Sequence, residues 1–275
     1  MQYLAYHFTV KPPQPGSEIL VAMIADMGFD SFDYNTEGFT AYITEDEQEN
    51  VNFQDLIFEE FSYAFTIEKI AKTNWNSEWE KNFEPVVVDN LVCIRAPFHE
   101  VNKNVSHEII IMPKMSFGTG HHQTTQLMCA ALFKINFHNS RVLDMGCGTG
   151  VLAILAHKLG SNDILAVDID DWSVENSIEN CAVNHAESIV VKKGDIDQVL
   201  HEKNFDIIIA NINKNILKAH IPSYSLKLNP GGKLLLSGFF VTDVEELIQA
   251  ASANHLKLES KNAKDEWAII VLEKI

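Results

Sequence analysis

The stretch VLDMGCGTG, Val142 to Gly150, ends an apolar run with glycines at 146, 148 and 150. Glycine lets the chain turn sharply and lets a ligand approach the backbone. A second apolar run, ILAVDID, reaches Asp168 twenty-two residues after Gly146. A carboxylate there can accept hydrogen bonds from both ribose hydroxyls of an adenosine. A plain tight turn would also account for the glycines. The dinucleotide fingerprint is G-x-G-x-x-G, but here the sixth position is Val151. The G-x-G-x-G spacing leaves no seat for a pyrophosphate at the helix N-terminus. An adenosine cofactor without phosphate fits it better, and S-adenosylmethionine is such a cofactor. NAD, and with it an oxidoreductase, is the alternative from another class.

Two further stretches carry polar groups at comparable places. In FDIIIANIN, residues 205–213, Asn211 follows an apolar strand. Its side-chain carbonyl can hold an amine beside the cofactor, or it can cap the next helix. In FGTGHHQTT, residues 117–125, two glycines precede a predicted helix with Thr124 and Thr125 in its first turn. Phe117, Gly118 and Thr119 then form a mobile lid over the methionine end of the cofactor. Adjacent histidines rarely converge on one ion, so His121 and His122 predict no metal site.

Elements must place these groups on one edge. After residue 140, apolar strands alternate with helical patterns: RVLDM, VLAILAHKL, DILAVDI, WSVENSIENCAVN, SIVVKK, FDIIIAN, KNILKAHIPSYSL, GKLLLSG and VTDVEELIQAASA. Such alternation predicts a doubly wound, mostly parallel α/β sheet. The last two runs, LKLES and WAIIVLEK, are too close for a crossover helix, so they form an antiparallel hairpin. Upstream, residues 1–70 read as β-α-β-β-α-β, the ferredoxin-like α+β order, with the second helix over 53–63. Residues 71–86 form a linker in which Trp75, Trp79 and Phe83 recur every four residues. They stack on one face of a short helix, either docking it on a core or meeting a substrate. The predicted domains are 1–70, the linker 71–86 and 87–275.

The 275 residues are 46% hydrophobic and 21% charged, the balance of a soluble globular chain. The N-terminus has neither a basic region nor a long apolar run, so no signal peptide or membrane span is expected. Cys93, Cys129, Cys147 and Cys181 lie far apart, which suits free thiols in the cytoplasm. The net charge is −17. Residues 1–65 hold one basic residue, Lys11, against twelve acidic ones. That end repels nucleic acid and attracts a basic partner, unless it serves only solubility. No apolar stripe points to a dimer, so a monomer is expected.

Taken together, FGTGHHQTT, VLDMGCGTGVLAI, AVDID, IIIANI and the linker NWNSEWEKNFEPV resemble the PrmA family. These are the bacterial methyltransferases of large-subunit ribosomal protein L-eleven. The resemblance spans nearly the whole chain. It implies S-adenosylmethionine as cofactor, contacted by Thr125, Gly146, Asp168 and Asn211, with Gly148 in the same loop. It implies methyl transfer to lysine ε-amines and the N-terminal α-amine of that basic ribosomal protein, docked by residues 1–70. Another basic protein or a small amine is the alternative substrate.

Overall fold

Alternating burial on both faces builds the larger part of the molecule. The computed structural model describes residues 3–53, 56–70, 83–199 and 201–275. The chain divides into two compact units, residues 1–81 and 82–275.

In the second unit, seven strands form one sheet: β8 (Arg141–Met145), β9 (Asp163–Asp168), β10 (Val190–Lys193), β11 (Phe205–Asn211), β12 (Leu228–Phe240), β13 (Leu256–Lys264) and β14 (Trp267–Lys274). Their order is β10-β9-β8-β11-β12-β14-β13. The first five are parallel, and β14 runs antiparallel to β12 and β13. Ile207, Ile209 and Leu235 pack on one face, while Ile208, Ala210, Leu234 and Leu236 pack on the other. Both faces are therefore dry, which is why the strands read as continuous apolar runs. Helices α2 (Gln123–Leu132), α3 (Val151–Lys158) and α4 (Asp171–Val183) supply the first cluster; α5 (Lys214–Lys227) and α6 (Val244–Ser252) supply the second. β13 runs on to Lys264, further than the LKLES run predicts, so only Asp265 and Glu266 turn the chain into β14.

The order in which successive strands are added reverses between β8 and β11, although the two strands run parallel. β9 and β10 extend one way from β8, and β11 and β12 extend the other. Ligands of doubly wound sheets bind outside the carboxyl ends at such a point. A second, smaller sheet precedes it, of β5 (Val86–Val88), β6 (Val92–Arg95) and β7 (His107–Ile110), with β7 at its edge.

In the first unit, β1 (Tyr3–Lys11), β2 (Ser31–Asn35), β3 (Gly38–Thr44) and β4 (Ser62–Lys69) form an antiparallel sheet in the order β2-β3-β1-β4. Helix α1 (Pro13–Ile24) buries Leu20 and Ile24 against Leu4, Phe8, Phe39 and Ile43. The helix expected over 53–63 is absent from the described residues of that stretch. A 3₁₀ helix, Glu45–Asn50, precedes it instead. The apolar residues that mimic a helical stripe work one at a time here. Phe53 packs against Tyr6, Phe8 and Phe65, and Phe58 stacks on Phe61. The Tyr63 hydroxyl donates to the carbonyls of Phe53 and Leu56, taking acceptors that a helix would use for itself. The linker helix predicted over 71–86 lies, up to residue 82, outside the described residues.

Candidate functional site

A cavity of about 650 Å³ opens at the carboxyl ends of β8, β9 and β11. Its walls include Gly146 and Gly148, Asp168, Asn211 with Ile212, and Phe117 with Met115 and Ser116. It is lined further by Asp170, Trp172, Ser173, Gly194, Asp195, Ile216 and His220. Of the sequence-predicted residues, Phe117, Gly146, Gly148, Asp168 and Asn211 therefore meet in one cavity.

The glycine loop is shaped by what stands behind it. Gly146, Gly148 and Gly150 have φ of +75°, +54° and +79°. A Cβ on Gly148 would lie 2.2 Å from the Phe117 carbonyl, and one on Gly146 would lie 2.2 Å from Ile212 Cγ2. Only glycine fits at either place. The Asp168 carboxylate accepts from Gly148 N at 2.8 Å and from Asp170 N at 3.1 Å. Two amides hold it in place, and a carboxylate has lone pairs left for hydroxyl donors. Asn211 Oδ1 is buried and has no hydrogen-bond partner within the protein. Buried acceptors are seldom left so. The helix-capping role weighed for Asn211 belongs to Asn213, whose Oδ1 accepts from Asn215 N at 2.8 Å. Asn211 itself is part of the cavity's lining.

Gly118, Thr119 and Thr125 are not part of the cavity's lining. Gly118 O accepts from Thr149 Oγ1 at 2.7 Å, and Phe117 O from Thr149 N at 2.8 Å. The loop expected as a mobile lid is thus pinned to the glycine loop as a wall. Thr119 Oγ1 lies 3.2 Å from His121 Nδ1. Thr125 is fully buried on α2, and its Oγ1 has no partner. His121 donates from Nε2 to Glu84 O at 2.9 Å, and His122 caps α2 by accepting from Thr124 N. Among the described residues no cluster of three metal-ligating side chains occurs.

Three residues at the site escape the motif reading. Asp195 and His220 line the cavity from opposite elements, the segment after β10 and helix α5. His220 sits four residues beyond Ile216, so one helical face presents both. Burial lowers its pKa, against the pull of Asp195 and Asp197. The third is Asp144, 1% exposed at the glycine loop's root. Its Oδ2 accepts from Ala153 N at 3.1 Å, while Oδ1 has no partner. Gly150, at the N-cap of α3, has no side chain to offer that helix; Asp144 reaches across from β8 to do so. Burial pushes its carboxyl up to about 7, with Asp168 adding to the rise. Burial also raises the Cys147 thiol well above its ordinary range, so this loop cysteine is inert.

The residues fit S-adenosylmethionine: a glycine cradle closed to any Cβ, a fixed carboxylate at the end of β9 and an unpartnered buried carboxamide oxygen. A doubly wound sheet with such a site defines a methyltransferase that uses S-adenosylmethionine. Similarity to known proteins narrows the class to one family. The family model for ribosomal protein L11 methyltransferase (PrmA) matches residues 24–275. The chain is 40% identical over 282 residues to the ribosomal protein L11 methyltransferase of Porphyromonas gingivalis, covering 98% of this chain and 97% of that one. It is 37% identical over 276 residues to that of Phocaeicola vulgatus, covering 98% of both. The crystal structure of a ribosomal protein L11 methylase from Lactobacillus delbrueckii subsp. bulgaricus superposes with a TM-score of 0.64 at 30% identity. It covers 70% of this chain and all of that one. The chain belongs to the ribosomal protein L11 methyltransferase (PrmA) family, and the oxidoreductase alternative falls.

Two outcomes follow from this geometry. Gly148→Ala forces a side chain into the Phe117 carbonyl and abolishes S-adenosylmethionine binding by calorimetry, while the far-ultraviolet circular dichroism is kept. Asp144 has its folded pKa raised from 3.8 to about 7. The folded state then holds the extra proton, so Asp144's contribution to stability is present below pH 4 and lost as pH rises to about 7. Asp144→Asn removes that loss. Its stability relative to the native protein rises by more than about 1 kcal/mol between pH 4.5 and pH 8 in urea titrations.

Proposed function

We propose that this methyltransferase acts on ribosomal protein L11, at lysine ε-amines and the N-terminal α-amine. The family supports the protein substrate, and the observation that carries the amine is Asn211: a buried carboxamide oxygen with no partner, in the wall of the cavity. S-adenosylmethionine, when bound, supplies an activated methyl group on a positively charged sulfur.

The chain's own part is to hold, orient and dry. Gly146 and Gly148 give the cofactor backbone to lie against, and Asp168 accepts from its ribose. Thr125 belongs to the same set through the family motif, with its buried Oγ1 as the group on offer. A lysine has a pKa of about 10.4, and its free base costs roughly 4–5 kcal/mol at pH 7. Met145, Phe117 and Ile212 surround the cavity with apolar surface, which disfavours the charged amine and releases its proton to water. Asn211 Oδ1 then accepts from one remaining N–H and aims the lone pair.

Residues 1–70 are the recognition module on this reading, a ferredoxin-like unit whose acidic surface meets the basic substrate. The protein works as a cytoplasmic monomer without nucleic acid. The acidic balance supports the absence of nucleic acid, and the four free, buried cysteines suit a reducing compartment.

The test is an intact mass spectrum of purified L11 after incubation with this protein and S-adenosylmethionine. Stepwise 14-dalton additions at amines are expected, and Asn211→Ala lowers kcat by about 100-fold while weakening cofactor binding less than Asp168→Asn does. An unmodified L11 with cofactor binding intact moves the substrate to another basic protein or a small amine. The charged surface is read separately. Asp46→Lys, Glu49→Lys and Glu60→Lys together raise KM for L11, flatten its salt dependence and leave cofactor affinity alone. An unchanged KM and salt slope would remove the electrostatic docking.

A further inference from the structure

Helix α4 carries asparagines at 176 and 180, and a third, Asn184, is its C-cap; all three are buried. Asparagine is a mediocre helix former and a costly residue to bury. Each of these spends its amide on one backbone edge. Asn184 donates from Nδ2 to Ile110 O at 2.6 Å and accepts on Oδ1 from Ile110 N at 2.9 Å. Asn180 accepts on Oδ1 from Met112 N at 2.8 Å. Asn176 donates from Nδ2 to Met112 O at 3.2 Å. Between them, Ile111 donates the other way, to Arg95 O at 2.8 Å.

The spacing explains the match. Four residues of α-helix rise about 6 Å, and two residues of strand advance about 6.6 Å. Asn184 and Asn180 therefore meet the outer edge of β7 and its continuation two residues apart, at Ile110 and Met112, and Asn176 takes the remaining Met112 carbonyl. The helix stands where a neighbouring strand would be and satisfies an edge that is otherwise a liability.

Asn180 reaches further. Its Nδ2 donates to Thr149 O, in the glycine loop, at 2.9 Å. Thr149 in turn donates from N to Phe117 O and from Oγ1 to Gly118 O. The arm 110–118, the glycine loop and Asn180 thus close a ring of hydrogen bonds behind two walls of the cavity. Ser177, on the same helix face, lies so close to Gly150 that a Cβ there would meet its Oγ at 2.4 Å. None of the three asparagines lines the cavity. A slip of one residue along the arm would present residues 109 and 111 to α4 and carry Phe117 away from Gly148.

We propose that Asn180, backed by Asn176 and Asn184, is a positioning residue that sets the affinity for S-adenosylmethionine by fixing the register of the arm 110–118 against the glycine loop. The proposal rests on the cavity being the cofactor site. Asn180→Asp is nearly isosteric and keeps the acceptor for Met112 N but faces Thr149 O with an oxygen in place of a donor. Calorimetry with S-adenosylmethionine on the full chain is expected to show Kd raised about tenfold. Amide exchange over residues 110–118 speeds up in the same variant. Leu247→Ala, a core change on α6 in the apolar cluster of the sheet's other face, lowers the melting temperature but leaves Kd within twofold. Asn184→Ala, which folds with one intact tie to Thr149, gives a smaller rise in Kd and faster exchange at Ile110. Native Kd in Asn180→Asp, or an equal rise in Leu247→Ala, overturns the proposal. Asp168→Asn separates the two readings: native affinity there sinks the site itself. Weakened binding in Asp168→Asn with native binding in Asn180→Asp sinks the asparagine ring alone.

Discussion

The Asp168 carboxylate, held by Gly148 N and Asp170 N, is the interaction on which the rest of the site depends. It ties the end of β9 to the glycine loop after β8 and to the start of α4. Its own backbone carbonyl accepts from Gly194 N, which adds the end of β10. Three neighbouring strand ends are thereby fixed by one residue. A carboxylate so tied loses little freedom when a ribose arrives, because its orientation has been settled in folding. The seven-stranded sheet makes this possible by placing those ends side by side, next to the point between β8 and β11 where the strand order reverses.

The glycine loop carries costs that the surrounding structure offsets. Three left-handed residues in five cannot be filled by other residues without collision. Gly150 leaves α3 without a side-chain cap, and Asp144 takes over from beneath the loop. That substitute is itself strained electrostatically, since a buried carboxyl with one unpartnered oxygen prefers its proton. Local rules are broken here in a cluster, which is where a binding site is expected to break them. The two dry faces of the sheet supply the stability that tolerates it.

Much of the second unit was legible because its signals are short-range. Ile207 to Ala210 are apolar at every position, and Gly146, Gly148 and Asp168 fall at strand ends, so strand, loop and acid could be read in order. The first unit shows where this stops. Phe53, Leu56 and Phe61 keep helical spacing, yet Tyr63 and the aromatic side chains of the sheet claim that stretch for irregular structure. Spacing states which residues share a face only once the backbone is helical. Asn211 and Asn213 differ in the same way. Either asparagine could cap a helix, and only the strand's end point, at Asn211, decides which of them does so.

The asparagines of α4 were present in the sequence as plainly as the glycines, in WSVENSIENCAVN, and gave no motif. Their partners on the arm are main-chain atoms of residues more than sixty positions away. A side chain that reads backbone places no demand on its partner's identity, so Ile110 and Met112 carry no matching signal. What remained visible was a period of four in polar residues on a helix whose inner face should be apolar. That pattern is a statement about geometry: a helix that buries an amide every fourth residue needs a strand edge beside it. In this fold the available edge is β7, and its continuation is the wall of the cavity.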